Sequence, residues 1–526
     1  MDSARDERRG GRGRARLPGH ATATLGTIVI CQFMIGLDAT VVNIALPKIR
    51  AALHFTPVSL AWVVSAYILA FGGLLLLGGR TGDVLGRRRM FMAGLSLFAV
   101  ASLFAGLATS AAWLLSARVA QGAGAAFAAP SALALVTANF TEGRERDRAL
   151  AVVTGSYAAS LIVGLIVGGM ITAWASWRWV MFMNVPLAVA LLVLAPLFIS
   201  EAERHRARFD LLGAVLSVGV MTALVYGFLR AASGGWHSAV TIAMFPAAAV
   251  LAAVLVAVEA RAAQPVVPLR LLRHRGRSAS YLNLLILTGP MAAMNFFVTQ
   301  LLQNVLGFSP LTAGLAFLPL GAALMAAGGL SVQLLRRVGH RPVVIAGIML
   351  VGGGLFWLSR VSVSSTYAGA ILAPSVIMGL GVGLSFTAVN EMILSGVSGR
   401  DSGAASSLLE AMQWLGSVLG LSILVTVLGA ASRDAARHLP PGLNAAGDAR
   451  YVLVHGMSAG FTAAIGFTAL ALLVTLSGIR RPAAADHAAA GEDAATAVPG
   501  PGADSGADSG APAQPARNSL IRRACG

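Results

Sequence analysis

Apolar residues run through this chain in long blocks rather than in alternation. Between about Ala21 and Arg480 they fill windows of roughly 20 residues, the length a helix needs to cross about 30 Å of hydrocarbon. Fourteen spans are predicted, at 22–46, 58–78, 89–109, 112–138, 149–172, 178–200, 211–231, 238–259, 279–302, 311–334, 341–360, 366–393, 404–431 and 455–479. A twelve-span reading would leave two apolar runs unplaced. The first run is too long for a cleavable signal, contains Asp38, and leads straight into a second span.

The positive residues orient these spans. Arginines crowd the even-numbered loops, as at Arg87 to Arg89, at Arg144, Arg146 and Arg148, and at Arg270, Arg273, Arg275 and Arg277. The odd-numbered loops hold fewer, Lys48, Arg50, Arg178, Arg230 and Arg360 among them. Cytoplasmic loops are enriched in Lys and Arg, so the even loops and both termini are expected on the cytoplasmic side.

Composition agrees. Only 12% of the 526 residues are charged and 56% are hydrophobic, about half the charged share of an ordinary globular chain, which excludes a soluble fold. The net charge of +17 sits between apolar runs and not in an aromatic-studded basic patch, so lipid is the expected partner and nucleic acid is not. Residues 1–20 read as a disordered basic cytoplasmic arm near anionic headgroups, and residues 481–526, rich in Ala, Gly, Pro and Asp, as a disordered cytoplasmic tail.

Within the membrane part, Gly82-Asp83-Val84-Leu85-Gly86-Arg87-Arg88-Arg89 after the second span is echoed by Arg336-Arg337-Val338-Gly339-His340-Arg341 after the tenth. Taking the two as equivalent gives an all-α membrane protein of fourteen transmembrane helices. It would comprise a six-helix repeat over 21–200, two inserted helices over 211–259, and a second six-helix repeat over 279–480.

The chain holds few chemical devices. Its only lysine, Lys48, stands outside any nucleotide-binding loop of the form G-x-x-x-x-G-K-[ST], and no H-E-x-x-H occurs. Cys31 and Cys525 have no metal-ligand spacing, so neither a metal nor another cofactor is expected. The energy source left is an ion gradient. Ionisable groups inside a bilayer are costly and mark function or pairing, and they are Asp38, Arg118, Glu391 and Glu410. Asp38 and Arg118 lie at similar depth, roughly 12 and 9 Å below the outer ends of spans 1 and 4, which permits a pair whose protonation could respond to alternating water access. A static salt bridge is the alternative. Glu410, near the N-terminal end of its span, is a second candidate proton or cation site, and a helix-terminus role competes with it. The glycines at Gly122 and Gly124 read as close helix packing.

Taken together, several runs resemble the fourteen-spanner drug:proton antiporters of the major facilitator superfamily. They are Leu37 to Pro47 (LDATVVNIALP), Trp62 and Tyr67, Gly79 to Arg89, Leu114 with Arg118, Gln121, Gly122 and Gly124, and Trp177-Arg178-Trp179 followed by Phe182, Asn184, Val185 and Pro186. The antiporter motif G-P-x-x-G-G of the fifth helix appears as Gly164-Leu165-Ile166-Val167-Gly168-Gly169, without its proline but with glycines that still allow close packing.

This resemblance implies alternating access by two rocking six-helix units and export driven by inward proton flow. It makes Arg118 the proton-coupling arginine, with Asp38 as its acidic partner. Gly79, Gly82, Asp83, Gly86, Arg87, Arg88 and Arg89 become a cytoplasmic gating loop, with Gly82 and Gly86 permitting a tight turn. It also implies a cavity lined by spans 1, 4, 9 and 12, where Gln32, Asn43, Gln121, Asn295, Gln300 and Asn390 are candidate contacts, each able instead to bond a neighbouring helix. A mostly apolar wall suits amphipathic, aromatic or lipophilic cationic compounds, so export of such a drug or antibiotic is expected. The expected setting is a monomer in a bacterial cytoplasmic membrane, partnered by protons and small amphipathic molecules. Proton symport of a small solute, and a non-transporting sensor or lipid-handling protein, stay open as alternatives.

Overall fold

The computed structural model describes residues 18–56, 58–140, 144–199, 211–261, 271, 274–395, 397, 399–441 and 444–479; residues 18–20 of the expected N-terminal arm are helical and open the first helix, and the rest of that arm and the expected C-terminal tail lie outside the described residues. Among the described residues the regular structure is helical throughout. The helices are α1 (Pro18–Leu53), α2 (Ala61–Leu85), α3 (Arg87–Gly106), α4 (Ala111–Asn139), α5 (Arg144–Trp174), α6 (Trp177–Phe182), α7 (Asn184–Phe198), α8 (Leu211–Gly234), α9 (Ala239–Arg261), α10 (Arg275–Gln300), α11 (Pro310–Leu315), α12 (Leu318–Val338), α13 (His340–Leu358), α14 (Ala373–Leu394), α15 (Gly399–Arg437) and α16 (Ala445–Gly478). A π-helical turn, Leu301–Val305, extends α10, and another, Ala368–Leu372, leads into α14.

Each apolar run of the sequence falls on helix, and eleven helical stretches are long and apolar enough to cross a membrane. Two runs expected to be single helices are broken. Pro186 cannot donate a backbone N–H and its ring crowds the carbonyl of Phe182, where α6 ends; Pro319 does the same at Leu315, where α11 ends. Local caps start several helices: the side chains of Ser110, Ser309 and Asn444 accept from the backbone N–H of Trp113, Thr312 and Gly447.

The burial pattern is that of a chain solvated by lipid. Large apolar side chains such as Trp174, Leu197, Val250 and Leu473 are exposed, while polar Asp38, Arg118, Gln121, Asn184 and Asn283 are buried. With no hydrophobic drive between helices in lipid, backbones approach through small residues. In the first half α1 packs on α5, and α2 and α3 each pack on α4; in the second, α10 packs on α15, and α12 and α13 each pack on α14. Glycines make these contacts close. A Cβ on Gly122 would lie 2.3 Å from the Tyr67 carbonyl oxygen of α2, and one on Gly124 2.6 Å from the Phe98 nitrogen of α3. On α14, Gly379 and Gly381 stand in the same way against Leu320 of α12 and Gly347 of α13.

The halves meet along two seams. Midway, Gly72 of α2 abuts Trp414 of α15, whose ring meets Phe71 edge-on at 5.0 Å. Towards the Leu53 end of the bundle, Gly169 of α5 sits against the Pro310 carbonyl of α11, Gly314 against that of Leu165, and Gln303 Nε2 donates to the Ile44 carbonyl oxygen at 2.9 Å. Helix α8 wedges against α2 and α15, with Gly73 on Val218 and the Thr426 hydroxyl donating to the Phe228 carbonyl. Helix α9 behind it is only 11% buried over its apolar window, so it faces outward.

Candidate functional site

The polar centre of the first half is built on five helices. Asp38, midway along α1, is fully buried, and so is Arg118 of α4. Arg118 Nη1 donates to Asp38 Oδ2 at 2.7 Å and to Gln121 Oε1 at 3.2 Å, while its Nε donates to the Val63 carbonyl of α2 at 3.0 Å. Tyr67, one helical turn beyond Val63, places its ring 4.3 Å from the guanidinium carbon. Gln121 Nε2 passes the chain on to the Ser102 hydroxyl of α3 at 2.7 Å, and Asn184 Nδ2, at the first position of α7, donates to the other carboxylate oxygen of Asp38 at 2.6 Å.

This geometry follows from the sequence around it. Arg118 and Gln121 are three apart and share one face of α4. The break that Pro186 imposes starts α7 at Asn184 and turns its amide inward toward α1. Desolvating both ions is costly, and the short, multiply bonded arrangement offsets that cost; losing either partner would strand a buried charge. With Asp38 at 0% and Arg118 at 1% exposure, the pair is shut off from solvent in this conformation, so any proton exchange there requires the helices around it to move.

Among the described residues the second half has no copy of this centre. The residue four before Gly379, matching Arg118 four before Gly122, is Ser375. Glu410 is partly buried on α15 with no hydrogen-bond or ionic partner among the described residues. It stands eleven residues inside a helix that begins at Gly399 and not near the N-terminal end, beyond the single turn over which a helix dipole acts. Glu391, about half exposed at the end of α14, has its carboxylate 3.9 Å from His340 Nε2.

The expected gating loop is not a loop. Gly79, Gly82 and Asp83 lie on α2 and Arg87, Arg88 and Arg89 on α3, with Gly86 alone between them at φ +106°. Gly82 is therefore helical and makes no turn; its carbonyl accepts the Gly86 N–H, and Gly86 carries the whole reversal. Gly339 repeats the device between α12 and α13 at φ +77°. Arg87 Nη1 donates to the Ala134 carbonyl in the last third of α4 and Arg88 Nη1 to the Ile199 carbonyl after α7, each at 3.0 Å, the second at a helix end where a cation satisfies an orphan carbonyl. The Asp83 side chain lies outside the described residues.

The six expected cavity residues are scattered. Gln32 ties α1 to α4 through the Ala129 carbonyl, Asn43 donates back to Ala39 in its own helix, Gln121 serves Arg118, and Gln300 accepts from Asn304. Asn295 is partly buried, and Asn390 Oδ1 is buried without a hydrogen bond among the described residues. None lines the two cavities the structure shows most clearly. Of the packing glycines, Gly164 and Gly168 press on Thr40 and Val41 of α1 within the half, whereas Gly169 faces α11 across the seam.

Residues 28–421 match the family model described as Major Facilitator Superfamily. The chain belongs to the major facilitator superfamily. Members of this superfamily are transporters and not enzymes. Among curated relatives of this major facilitator chain, the cephamycin export protein CmcT of Amycolatopsis lactamdurans is 39% identical over 417 residues, 78% of this chain and 86% of that one. The puromycin resistance protein pur8 of Streptomyces alboniger is 35% identical over 456 residues, 86% and 89% of the two chains. In fold, the chain resembles a bacterial homologue of the human lysosomal transporter Spinster, solved inward-facing, with a TM-score of 0.63 at 15% identity, covering 89% of this chain and all of that one.

The sequence pairs Asp38 with Arg118, but it offers Gln121 as a cavity contact, Tyr67 and Asn184 only as motif residues, and Ser102 not at all. Asn184 was legible only as part of a motif; an amide at the head of an otherwise apolar span was the signal. Ser102 and the Val63 carbonyl carry none, because a serine among alanines and a backbone acceptor look alike in every helix.

Proposed function

We propose that this chain is a proton-driven exporter of amphipathic drugs or antibiotics in a bacterial cytoplasmic membrane, working by alternating access. The observation that carries the reading is the sealed Asp38–Arg118 pair, an acid and a base at bonding distance in the membrane core of the first half. Protonating Asp38 removes the attraction that holds Arg118 and frees the guanidinium toward Gln121, so proton binding and helix position become linked. The relatives support export as the direction, since their names speak of antibiotic export and resistance.

The membrane frame is a fourteen-span one with both termini cytoplasmic, made of two six-helix repeats bracketing α8 and α9. Three further apolar stretches, within α2, α5 and α8, supplement the eleven long ones, and the paired helix contacts, the Gly122–Gly124 and Gly379–Gly381 motifs, and the Gly86 and Gly339 junctions recur in matching places. In that frame the seam between α5 and α11 closes the outer face. The cycle needs no cofactor beyond the proton gradient and is completed by a monomer.

Everted vesicles test this. An imposed inside-acid gradient should drive accumulation of a lipophilic dye, and the Asp38→Asn protein should lose that response. Accumulation indifferent to the gradient, or full coupling in Asp38→Asn, would overturn the reading.

A further inference from the structure

Outside the polar centre, the Leu53 end of the bundle contains a cavity of about 730 Å³ that no step above uses. It lies beyond the Gln303–Ile44 contact and is framed by the end of α1, the π-helical turn after α10, the end of α15 and the start of α16. Its wall is mostly apolar, with Val58, Leu428 and Leu453, yet three arginines line it: Arg50 from the first half, Arg433 and Arg450 from the second. Among the described residues no carboxylate lines it. Asp434 and Asp448, on the same elements, are not part of the wall, and Asp434 faces His438. Among the described residues Arg50 and Arg450 have no anionic partner. Ala446 and Ala449, near the start of α16, complete this side of the wall.

Arginines contributed by both halves beside an apolar wall give this cavity a basic part and an apolar part. A compound with a carboxylate, sulfonate or phosphate on an apolar body answers both halves of that surface, with guanidinium groups pairing the head and Val58, Leu428 and Leu453 covering the body. We propose that this cavity is a binding site for amphipathic organic anions. The charges come from both halves of the bundle, so the site exists as a unit only while the Leu53 end is closed, and opening the seam separates Arg50 from Arg433 and Arg450. Bound anion therefore favours the closed state, and opening releases it. The assignment deepens the export reading by naming a cargo class and an exit site. The same chemistry could be supplied by an exported organic anion or by an anionic lipid headgroup.

The test needs no gradient, so its failure is distinguishable from a failure of export. Purified full-length protein in phosphatidylcholine nanodiscs is titrated with the fluorescent carboxylate dansylglycine and, separately, with its neutral amide. The carboxylate should bind about ten-fold tighter than the amide, a preference that weakens with added salt. Replacing Arg50, Arg433 and Arg450 together by Gln should bring the carboxylate down to the amide's affinity and leave the amide unchanged, and replacing all three by Lys should keep most of the preference. If the Gln protein does not fold, the wild-type comparison and the Lys protein decide. Nanodiscs containing phosphatidylglycerol separate the two sources: probe binding weakened in the wild type alone identifies a lipid headgroup, and unchanged binding identifies a soluble anion. Equal affinity for carboxylate and amide in the wild type, or an undiminished preference in the Gln protein, overturns the proposal.

Discussion

Asn184 Nδ2 donates to Asp38 Oδ1 at 2.6 Å, opposite the oxygen that Arg118 holds, so the buried carboxylate is gripped from both sides by residues 146 and 80 positions away in the chain. The grip is what lets a charge reside in the bundle. It predicts that Asn184→Ala, which leaves one lone pair of a fully buried carboxylate without its donor, destabilises the protein by about 1–3 kcal/mol and slows gradient-driven efflux. Thermal unfolding in detergent and dye efflux from cells expressing the variant measure the two effects. An unchanged melting temperature would mean that Asn184 is dispensable to the centre.

Arg118 makes its three hydrogen bonds with a planar group, through Nε to Val63 and through Nη1 to Asp38 and Gln121, while its face lies on Tyr67. A lysine ammonium on a longer flexible stem cannot reproduce that fork. Arg118→Lys should therefore fold but lose most gradient-driven transport, by about ten-fold or more. Arg118→Ala should be worse folded, because it strands the Asp38 carboxylate at a cost of roughly 3–5 kcal/mol. Adding Asp38→Asn to Arg118→Ala should recover folding yield without recovering transport. Recovery of both would reduce the pair to a structural tie.

The membrane-spanning architecture and the acid–base pair are legible in the sequence. The apolar runs coincide with helices because the span length is imposed by the bilayer and not by tertiary packing, and Asp38 and Arg118 stood out because charges are rare in such runs. What escaped was set by backbone chemistry at a distance. The breaks at Phe182 and Leu315 need the ring of a proline four residues on, the compression of the expected gating loop into Gly86 needs the α2–α3 geometry, and Glu410 shifted from helix end to helix interior because α15 begins five residues before its apolar run. The scattered amides from Gln32 to Asn390 show the same limit. In lipid a polar side chain is satisfied by whichever carbonyl the neighbouring helix presents, and sequence does not say which.

Glu410 stands without a hydrogen-bonding or ionic partner among the described residues, one helical turn before Trp414, which packs on α2 across the midway seam. A carboxylate placed there and left unpaired is positioned to gain and lose a proton as the halves move. Glu410→Gln should abolish uphill, gradient-driven dye accumulation in everted vesicles while leaving dye–dye exchange at equilibrium, since exchange requires no net proton movement. Uphill transport at the wild-type rate would remove Glu410 from the coupling machinery.

The glycines of α5 allow folding and gating to be separated. A Cβ on Gly164 would meet the Thr40 side chain at 2.2 Å and one on Gly168 the Val41 carbonyl at 2.6 Å, both on α1 of the same half, whereas a Cβ on Gly169 would lie 2.6 Å from the Pro310 carbonyl of the other half. A side chain at the first two positions strains one six-helix unit in every conformation; at Gly169 it strains only the state in which α5 and α11 touch. Gly168→Ala should thus lower the melting temperature without shifting the conformational balance. Gly169→Ala should instead disfavour closure at the Leu53 end. A cysteine at Gln303, which closes that end by donating to Ile44, introduced together with Cys525→Ser, reports the difference through its labelling rate with a membrane-impermeant maleimide, because Cys31 is buried. Labelling should rise several-fold with Gly169→Ala and stay at the parent rate with Gly168→Ala. Equal labelling in the two would show that the α5–α11 contact does not govern access to this end of the bundle.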